Sequence, residues 1–410
     1  MPYPSSLHFF SRPWTFARVL GGVVLGGLVL LGCDQADLDP PEPPPAGDQF
    51  ASYVAIGNSI TAGFQSDGLT DSGQNASYAV KVAEQMGTEF NSPLINDPGC
   101  PPPITNPLTG ERAGGATDET CALRQTPSPE VLHNVAVPGA AAVDVFDNFD
   151  EDSNANELTL LLLGGRTQIE AVAAAEPTFV SVWIGNNDLL NPALSGDPAR
   201  ATTVSTFRDR YAAVLDSLDS IGVERGVLMA VGDVTLLPHL SPGAAYFKAK
   251  QEGQLPPSFT VDDSCRPDQA GTTTLVPFRY GFGTLLRAAQ GGQAVTLDCV
   301  DDEEVLTGTE VQTFRARVQG YNQFIEERAQ ERGWAFVDLN PIFASLRESG
   351  DIPSFPNVNA PQEAFGAYFS LDGVHPSDLA HDVVTNQVIE AINATYDTDI
   401  DPLPDVPDPS

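Results

Sequence analysis

The sequence predicts an α/β fold: three layers, α/β/α, around a mostly parallel five-stranded sheet, with long insertions over one end. Three observations predict it. Short apolar runs alternate with longer helical stretches along most of the chain. One run, Phe179 to Ile184, has the composition of a strand buried on both faces. Three of the five strand candidates stop in polar or glycine-rich turns, at the carboxyl ends where such sheets place their ligands.

The elements follow in order. Tyr53 to Ile56 is the first strand, ending at Gly57, and Ser77 to Met86 is a helix. Asn134 to Val137 is the second strand, ending at Pro138-Gly139, and is followed by a helix from Arg166 to Ala175. Phe179 to Ile184 ends in Gly185-Asn186-Asn187-Asp188, and Val204 to Ile221 is the next helix. Strands from Arg225 to Val231 and from Ala335 to Leu339 flank a helix from Val311 to Arg332. The last helix runs from about Ser377 to Ala394. Two segments break the alternation and read as insertions over the sheet, at 94–131 and 233–309. No internal repeat is present.

Composition narrows the function. Acidic residues number 55 against 20 basic ones, a net charge of −35, and only Lys81, Lys248 and Lys250 are lysines. Such a surface repels phosphate backbones, so nucleic acid is not an expected partner. The acidity is spread along the chain and suits a salty medium, where screening relieves self-repulsion.

Both ends read as lying outside the globular domain. Arg12 and Arg18 precede an apolar run from Val19 to Leu31, too short for a comfortable membrane span. The run ends in Leu30-Leu31-Gly32-Cys33, which resembles the lipobox of bacterial lipoproteins. That resemblance implies a signal peptide over 1–32, lipidation of Cys33, and an exported protein anchored to the cell envelope on its periplasmic or outer side. A proline-rich spacer follows within 33–49, the main domain spans 50–396, and the acidic stretch 397–410 reads as a disordered tail. Four cysteines remain, Cys100, Cys121, Cys265 and Cys299, an even number that suits disulfides in an exported chain. Three pairings exist, and the two local ones are preferred. No Cys-x-x-Cys spacing supports zinc.

Four segments carry chemistry. Gly57-Asn58-Ser59-Ile60-Thr61-Ala62-Gly63 places a serine on a strand-to-helix turn, which exposes the hydroxyl and offers backbone N–H groups to an oxyanion. Gly139 ends the second strand and permits close approach to its backbone. Asn187 follows the third strand with an amide side chain. Asp372-Gly373-Val374-His375-Pro376 sets a carboxylate three residues before an imidazole, ahead of the last helix, a spacing that aims the carboxylate at Nδ1.

Together, in this order, the segments resemble the blocks of the SGNH (GDSL) hydrolase superfamily. The resemblance implies a flavodoxin-like fold and an ester hydrolase, with Ser59 as nucleophile and Asp372 and His375 completing a triad. It also implies an oxyanion hole from the N–H of Ser59, Gly139 and the amide of Asn187. No metal or cofactor is expected. The substrate is a small-molecule or lipid ester, or alternatively an O-acetylated carbohydrate; a catalytically inactive surface-binding lipoprotein is the third reading. The family's Gly-Asp-Ser is Gly57-Asn58-Ser59 here, exchanging a charge for an amide.

The other conspicuous residues read plainly. Trp183 suits the core and His239 a structural role; His133 suits a cap on the second strand. His381, in a second Asp-x-x-His, falls inside the last helix. The run from Asp301 to Glu304 is a solvated acidic face, and Asp397, Asp399 and Asp401 lack the glycine that a calcium loop needs, since Pro402 stands there. Phe278 to Phe282, with Leu285 and Leu286, is a candidate lining for an acyl pocket, and packing within a lid accounts for it equally well.

Overall fold

The structure, a computed structural model, describes residues 47–115 and 120–408. The signal-peptide and lipobox readings, with Cys33, fall outside the described residues. In chain order the principal elements are β1 (Tyr53–Gly57), α1 (Ser59–Ala62), α2 (Tyr78–Met86), α3 (Gln168–Ala175), β2 (Phe179–Trp183), α4 (Asn187–Leu194), α5 (Val204–Ile221), β3 (Gly226–Met229), α6 (Gly308–Arg332), β4 (Ala335–Val337) and α7 (Asp378–Tyr396).

The sheet is parallel, with strand order β1-β2-β3-β4. Asn134 to Val137, expected as a full strand, is not one. It lies along the outer edge of β1, with one bridge from Asn134 to Ala55 and backbone bonds from Val135 N–H to the Ala55 carbonyl and from Val137 N–H to the Gly57 carbonyl (3.0 and 3.2 Å). Pro138 supplies no N–H to extend the ladder. Counting this edge segment second in the chain, the spatial order is 2-1-3-4-5, the doubly wound order that the resemblance implied.

Strand periodicity divides the core in two. Val54 and Ile56 of β1, Val180 and Val182 of β2 and Leu228 of β3 pack with α3, α5 and α6 on one face. Tyr53, Ala55, Phe179, Trp183, Val227 and Met229 point the other way and pack with α2 and α7. Successive side chains of a strand point to opposite faces, so a strand covered on both must be apolar throughout. Helix ends are set locally: Thr167 and Glu170 form a capping box at α3, Thr203 caps α5, and Gly87, Gly222 and Gly333 end α2, α5 and α6 in the left-handed conformation.

Both local cysteine pairs are disulfides, Cys100–Cys121 and Cys265–Cys299. The second insertion builds a small core of its own around Tyr246, Phe259, Val276, Phe282 and the Cys265–Cys299 bridge. Phe278 and Phe282 stack there at 4.8 Å between centroids, and neither lines the cleft described below, so their candidacy as an acyl pocket is corrected. The C-terminal stretch also differs from expectation. Between Asp397 and Val406 it lies against α7 rather than free: Asn393 Nδ2 donates to the Ile400 carbonyl, Asn386 Oδ1 accepts from Leu403 N–H, and Ile400 is buried. Apolar residues spaced between the aspartates, with two asparagines facing them from α7, outweigh the acidic composition.

Candidate active site

Ser59 opens α1 directly after β1. Asn58, fully buried, caps the helix: its Oδ1 accepts from Ile60 N–H at 3.0 Å, and its Nδ2 donates to Asn186 Oδ1 at 3.2 Å. Both ends of the amide that replaces the family aspartate are therefore engaged. Gly57 is needed because a Cβ there would stand 2.2 Å from Thr61 Oγ1, where α1 folds back over the strand end. Ser59 itself is 6% exposed.

The imidazole of His375 meets the serine. Its Nε2 lies 2.9 Å from Ser59 Oγ, and its Nδ1 lies 2.8 Å from Asp372 Oδ2. A carboxylate only accepts, so Nδ1 carries the proton and Nε2 is left to accept from the serine hydroxyl. Phe64 packs against the ring at 5.0 Å. Asp372 is saturated: Oδ1 accepts from Val374 N–H and His375 N–H, both at 2.8 Å, and Oδ2 accepts also from Asp67 N–H at 2.7 Å. Burial alone would raise this carboxyl, but the His375 charge and these hydrogen bonds outweigh it and hold it well below the usual carboxylate range.

Asp67 was not singled out from sequence. Ser66 and Asp67 both adopt positive φ (53° and 55°), an uncommon conformation for residues with a Cβ, and this turn is what presents the Asp67 N–H to Asp372. It is held from two sides. Ser66 N–H donates to Ser370 Oγ at 2.8 Å, and Arg112, in the first insertion, reaches the Asp67 carbonyl at 2.9 Å and pairs with its carboxylate. The polar run Gln65-Ser66-Asp67-Gly68 is the signal of a turn there, but nothing in it names the partner.

Asn187, first residue of α4, donates one amide hydrogen to the Ala140 carbonyl at 2.9 Å and faces the cleft beside Ser59. Its second amide hydrogen remains available. Gly139 precedes that carbonyl with φ +89°, and a Cβ there would come within 2.9 Å of Asn156 Nδ2. Gly139 is not among the residues lining the cleft, whereas Ser59, His375 and Asn187 are. Beside Asn187, buried Asp188 ties down the same loop by accepting from Ala142 N–H at 2.9 Å; burial pushes its carboxyl up to about 6.

The cleft is open, with about 680 Å³ of space when the solvent at its mouth is included. Its walls are apolar: Leu190 of α4, Val234, Leu236 and Leu237 from the start of the second insertion, Phe343, and Phe369. Trp183 adds to the wall, yet it is core as expected, with its indole N–H on the Ala230 carbonyl. Asn186, Asp233 and Asn340 form the polar side, with Asp233 N–H donating to Asn340 Oδ1. His381 lies in α7 away from this cleft and accepts from Tyr78 N–H, satisfying an otherwise orphan donor at the start of α2. Burial, with Lys81 and His375 nearby, lowers its pKa to about 3. His133 accepts from Asn91 N–H in the same manner.

The geometry provides an O–H···N relay backed by a buried carboxylate at the floor of an apolar cleft, arranged to make the serine oxygen nucleophilic. Among the described residues, no group of three or more His, Cys, Asp or Glu is placed to hold a metal. Residues 53–388 match the model of a family described as GDSL-like Lipase/Acylhydrolase. None of the curated proteins compared with the sequence matches it. Among solved structures, the chain is similar to Axe2, an acetylxylan esterase from Geobacillus stearothermophilus, at 12% identity over 83% of this chain and 93% of that one, with a TM-score of 0.36. It is similar also to the acetyl xylan esterase AlAXEase, at 13% identity over 83% of this chain and 99% of that one, with a TM-score of 0.36.

Proposed function

Because this chain belongs to the GDSL-like lipase/acylhydrolase family and is an ester hydrolase, we propose that it cleaves carboxylic esters of apolar acyl groups through Ser59, His375 and Asp372. The observation that carries the proposal is the pair of short contacts, Ser59 Oγ to His375 Nε2 and His375 Nδ1 to Asp372 Oδ2, at the base of the apolar cleft.

The acyl group lies along the Leu190, Leu236 and Phe343 wall, which brings the ester carbonyl over Ser59. As Ser59 Oγ attacks the carbonyl carbon, its proton passes to His375 Nε2, and the Asp372 carboxylate stabilises the imidazolium. The negative charge that develops on the carbonyl oxygen meets the N–H groups of Ser59 and Gly139 and the free amide hydrogen of Asn187. Collapse of this tetrahedral species breaks the bond to the alcohol oxygen, which takes the proton from His375. Water, deprotonated by His375, then attacks the acyl-serine and releases the acid, and the proton returns to Ser59.

A fluorophosphonate probe tests the nucleophile. It should label the folded wild-type protein and leave Ser59→Ala unlabelled; a wild type that resists labelling and hydrolyses no ester removes the proposal. Nitrophenyl esters of increasing chain length test the cleft. The rate should rise from acetyl to medium chains, and acetate preferred over all others would mark a deacetylase instead. We place the enzyme outside the cytoplasm, tethered through a lipid on Cys33. A Cys33→Ser variant should then leave the membrane fraction, and its retention there would count against the tether.

A further inference from the structure

His239 belongs to none of the segments that carry chemistry. It lies near the start of the second insertion, in Leu236-Leu-Pro-His-Leu, a sequence that reads as ordinary packing. The structure gives it three hydrogen bonds, two of them to the acid–base loop. Its ring Nδ1 is 2.9 Å from the Asp372 carbonyl oxygen, its backbone N–H donates to the Gly373 carbonyl at 2.9 Å, and its own carbonyl accepts from Phe278 N–H at 2.7 Å.

The tautomer follows from the partners. A carbonyl oxygen accepts only, so Nδ1 must carry the proton, and Nε2 is a bare acceptor buried without a hydrogen-bond partner. Burial, outweighing the attraction of the nearby Asp372 charge, keeps the ring below its usual pKa and hence neutral. The ring is also wedged from the insertion side: Phe278 lies 5.7 Å away, at 61°, and Phe278 packs in turn on Phe282 and Phe365.

We propose that His239 is a positioning residue for the triad, holding through its Nδ1–H the main chain that aims the Asp372 carboxylate at His375. The inference rests on the function proposed above. Asp372 makes contacts of two kinds: its carboxylate faces His375, and its carbonyl points back into the insertion. Within the loop, the Val374 and His375 N–H groups fix the carboxylate relative to its own turn. Only contacts from outside the loop can fix that turn relative to Ser59. Asp67 N–H supplies one of them on the carboxylate, and His239 supplies the one on the carbonyl. His239 is not among the residues lining the cleft, so its loss should leave substrate binding unchanged while loosening the Ser59–His375 geometry. A misplacement of about 1 Å in such geometry costs on the order of 10²-fold in rate.

Three substitutions test it on the full chain, with nitrophenyl butyrate as substrate and a fluorophosphonate as probe. His239→Leu fills the space without a donor. His239→Asn places an N–H two bonds from Cβ, where Nδ1 stands, and His239→Gln moves it one bond further. The expected result is a kcat at least tenfold lower for His239→Leu with KM within twofold, a phosphonate labelling rate that falls by the same factor, and recovery to within threefold of wild type in His239→Asn but not in His239→Gln. The proposal is overturned if a folded His239→Leu matches wild type, if KM changes in place of kcat, or if asparagine is no better than leucine. Should the leucine variant fail to fold, the asparagine–glutamine comparison still decides, since both keep an amide and differ only in reach. An inactive, unlabelled wild type would instead refute the Ser59 assignment, so the two failures are distinguishable.

Discussion

Replacing Asn58 by alanine examines the one position where the serine turn departs from the family's Gly-Asp-Ser. The substitution removes the acceptor for Ile60 N–H and the donor to Asn186 Oδ1; Asn58 is 1% exposed, and both partners are partly buried at the edge of the cleft. A lost helix cap costs about 1 kcal/mol and a second lost hydrogen bond about 1 kcal/mol more, so the expected destabilisation is about 2 kcal/mol. The turn also carries the Ser59 hydroxyl and N–H, and kcat should fall on the order of tenfold, equivalent to ~1.4 kcal/mol in the barrier. Asn58→Asp separates the two contacts. It keeps an acceptor for Ile60 N–H, and the Asn186 amide can rotate to offer its own N–H to the new carboxylate, so the loss should be less than half that of alanine. Urea unfolding monitored by tryptophan fluorescence, together with nitrophenyl ester kinetics on the same samples, measures both quantities. An alanine variant with wild-type stability and kcat would show that neither contact holds the serine in place.

Other expectations follow from neighbouring groups. Asn187→Ala removes the proposed oxyanion donor and the tie to the Ala140 carbonyl; kcat should drop about 10²-fold with KM little changed, as steady-state kinetics can read. Asp188 has its folded pKa raised, so the folded chain holds this proton more tightly than the unfolded one; the associated stability is full below about pH 4 and is lost as pH rises through 6. Asp188→Asn should abolish that loss, on the order of 2–3 kcal/mol between pH 4 and 7.5, and urea titrations at the two pH values of both proteins give the difference. Phe343→Ala enlarges the apolar wall and should move the preferred acyl chain longer by several carbons; an unchanged chain-length profile would mean that the acyl group lies elsewhere.

Much of the fold is legible in the residues because both faces of the sheet are covered. Phe179 to Trp183 cannot alternate polar and apolar when each face meets a helix layer, and the caps at Thr167 and Thr203 mark their helices within a residue or two. Asn134 to Val137 reads the same as β2 locally, yet it lies at an edge with Pro138 beyond it, a placement that no local pattern encodes. The juxtaposition of Ser59 with His375 was foreshadowed by motif order, since each segment ends a strand or precedes the last helix. Asp67 and His239 were not legible. Each acts on Asp372 through the main chain, one as donor of a backbone N–H and the other as donor to a backbone carbonyl, and such contacts leave little trace in side-chain patterns. The packed stretch after Asp397 was missed because composition weighs charge, whereas Ile400 and Leu403 act through spacing against Asn386 and Asn393.

The two disulfide-bridged insertions both bear on Asp372: Arg112 of the first secures the Asp67 turn, whose N–H meets the carboxylate, and His239 of the second bonds the Asp372 carbonyl. Trimming the molecule to a minimal scaffold is therefore not a neutral act. A chain shortened across either insertion keeps Ser59, Asp372 and His375 in its sequence, but it loses a hydrogen bond that reaches the Asp372 turn directly or through Asp67. Attempts to re-engineer substrate range by exchanging insertions should accordingly transplant Arg112 or His239 along with the new surface. The second insertion alone does both jobs, lining the cleft with Val234, Leu236 and Leu237 and bonding the Asp372 carbonyl through His239, so exchanging it alters two things at once.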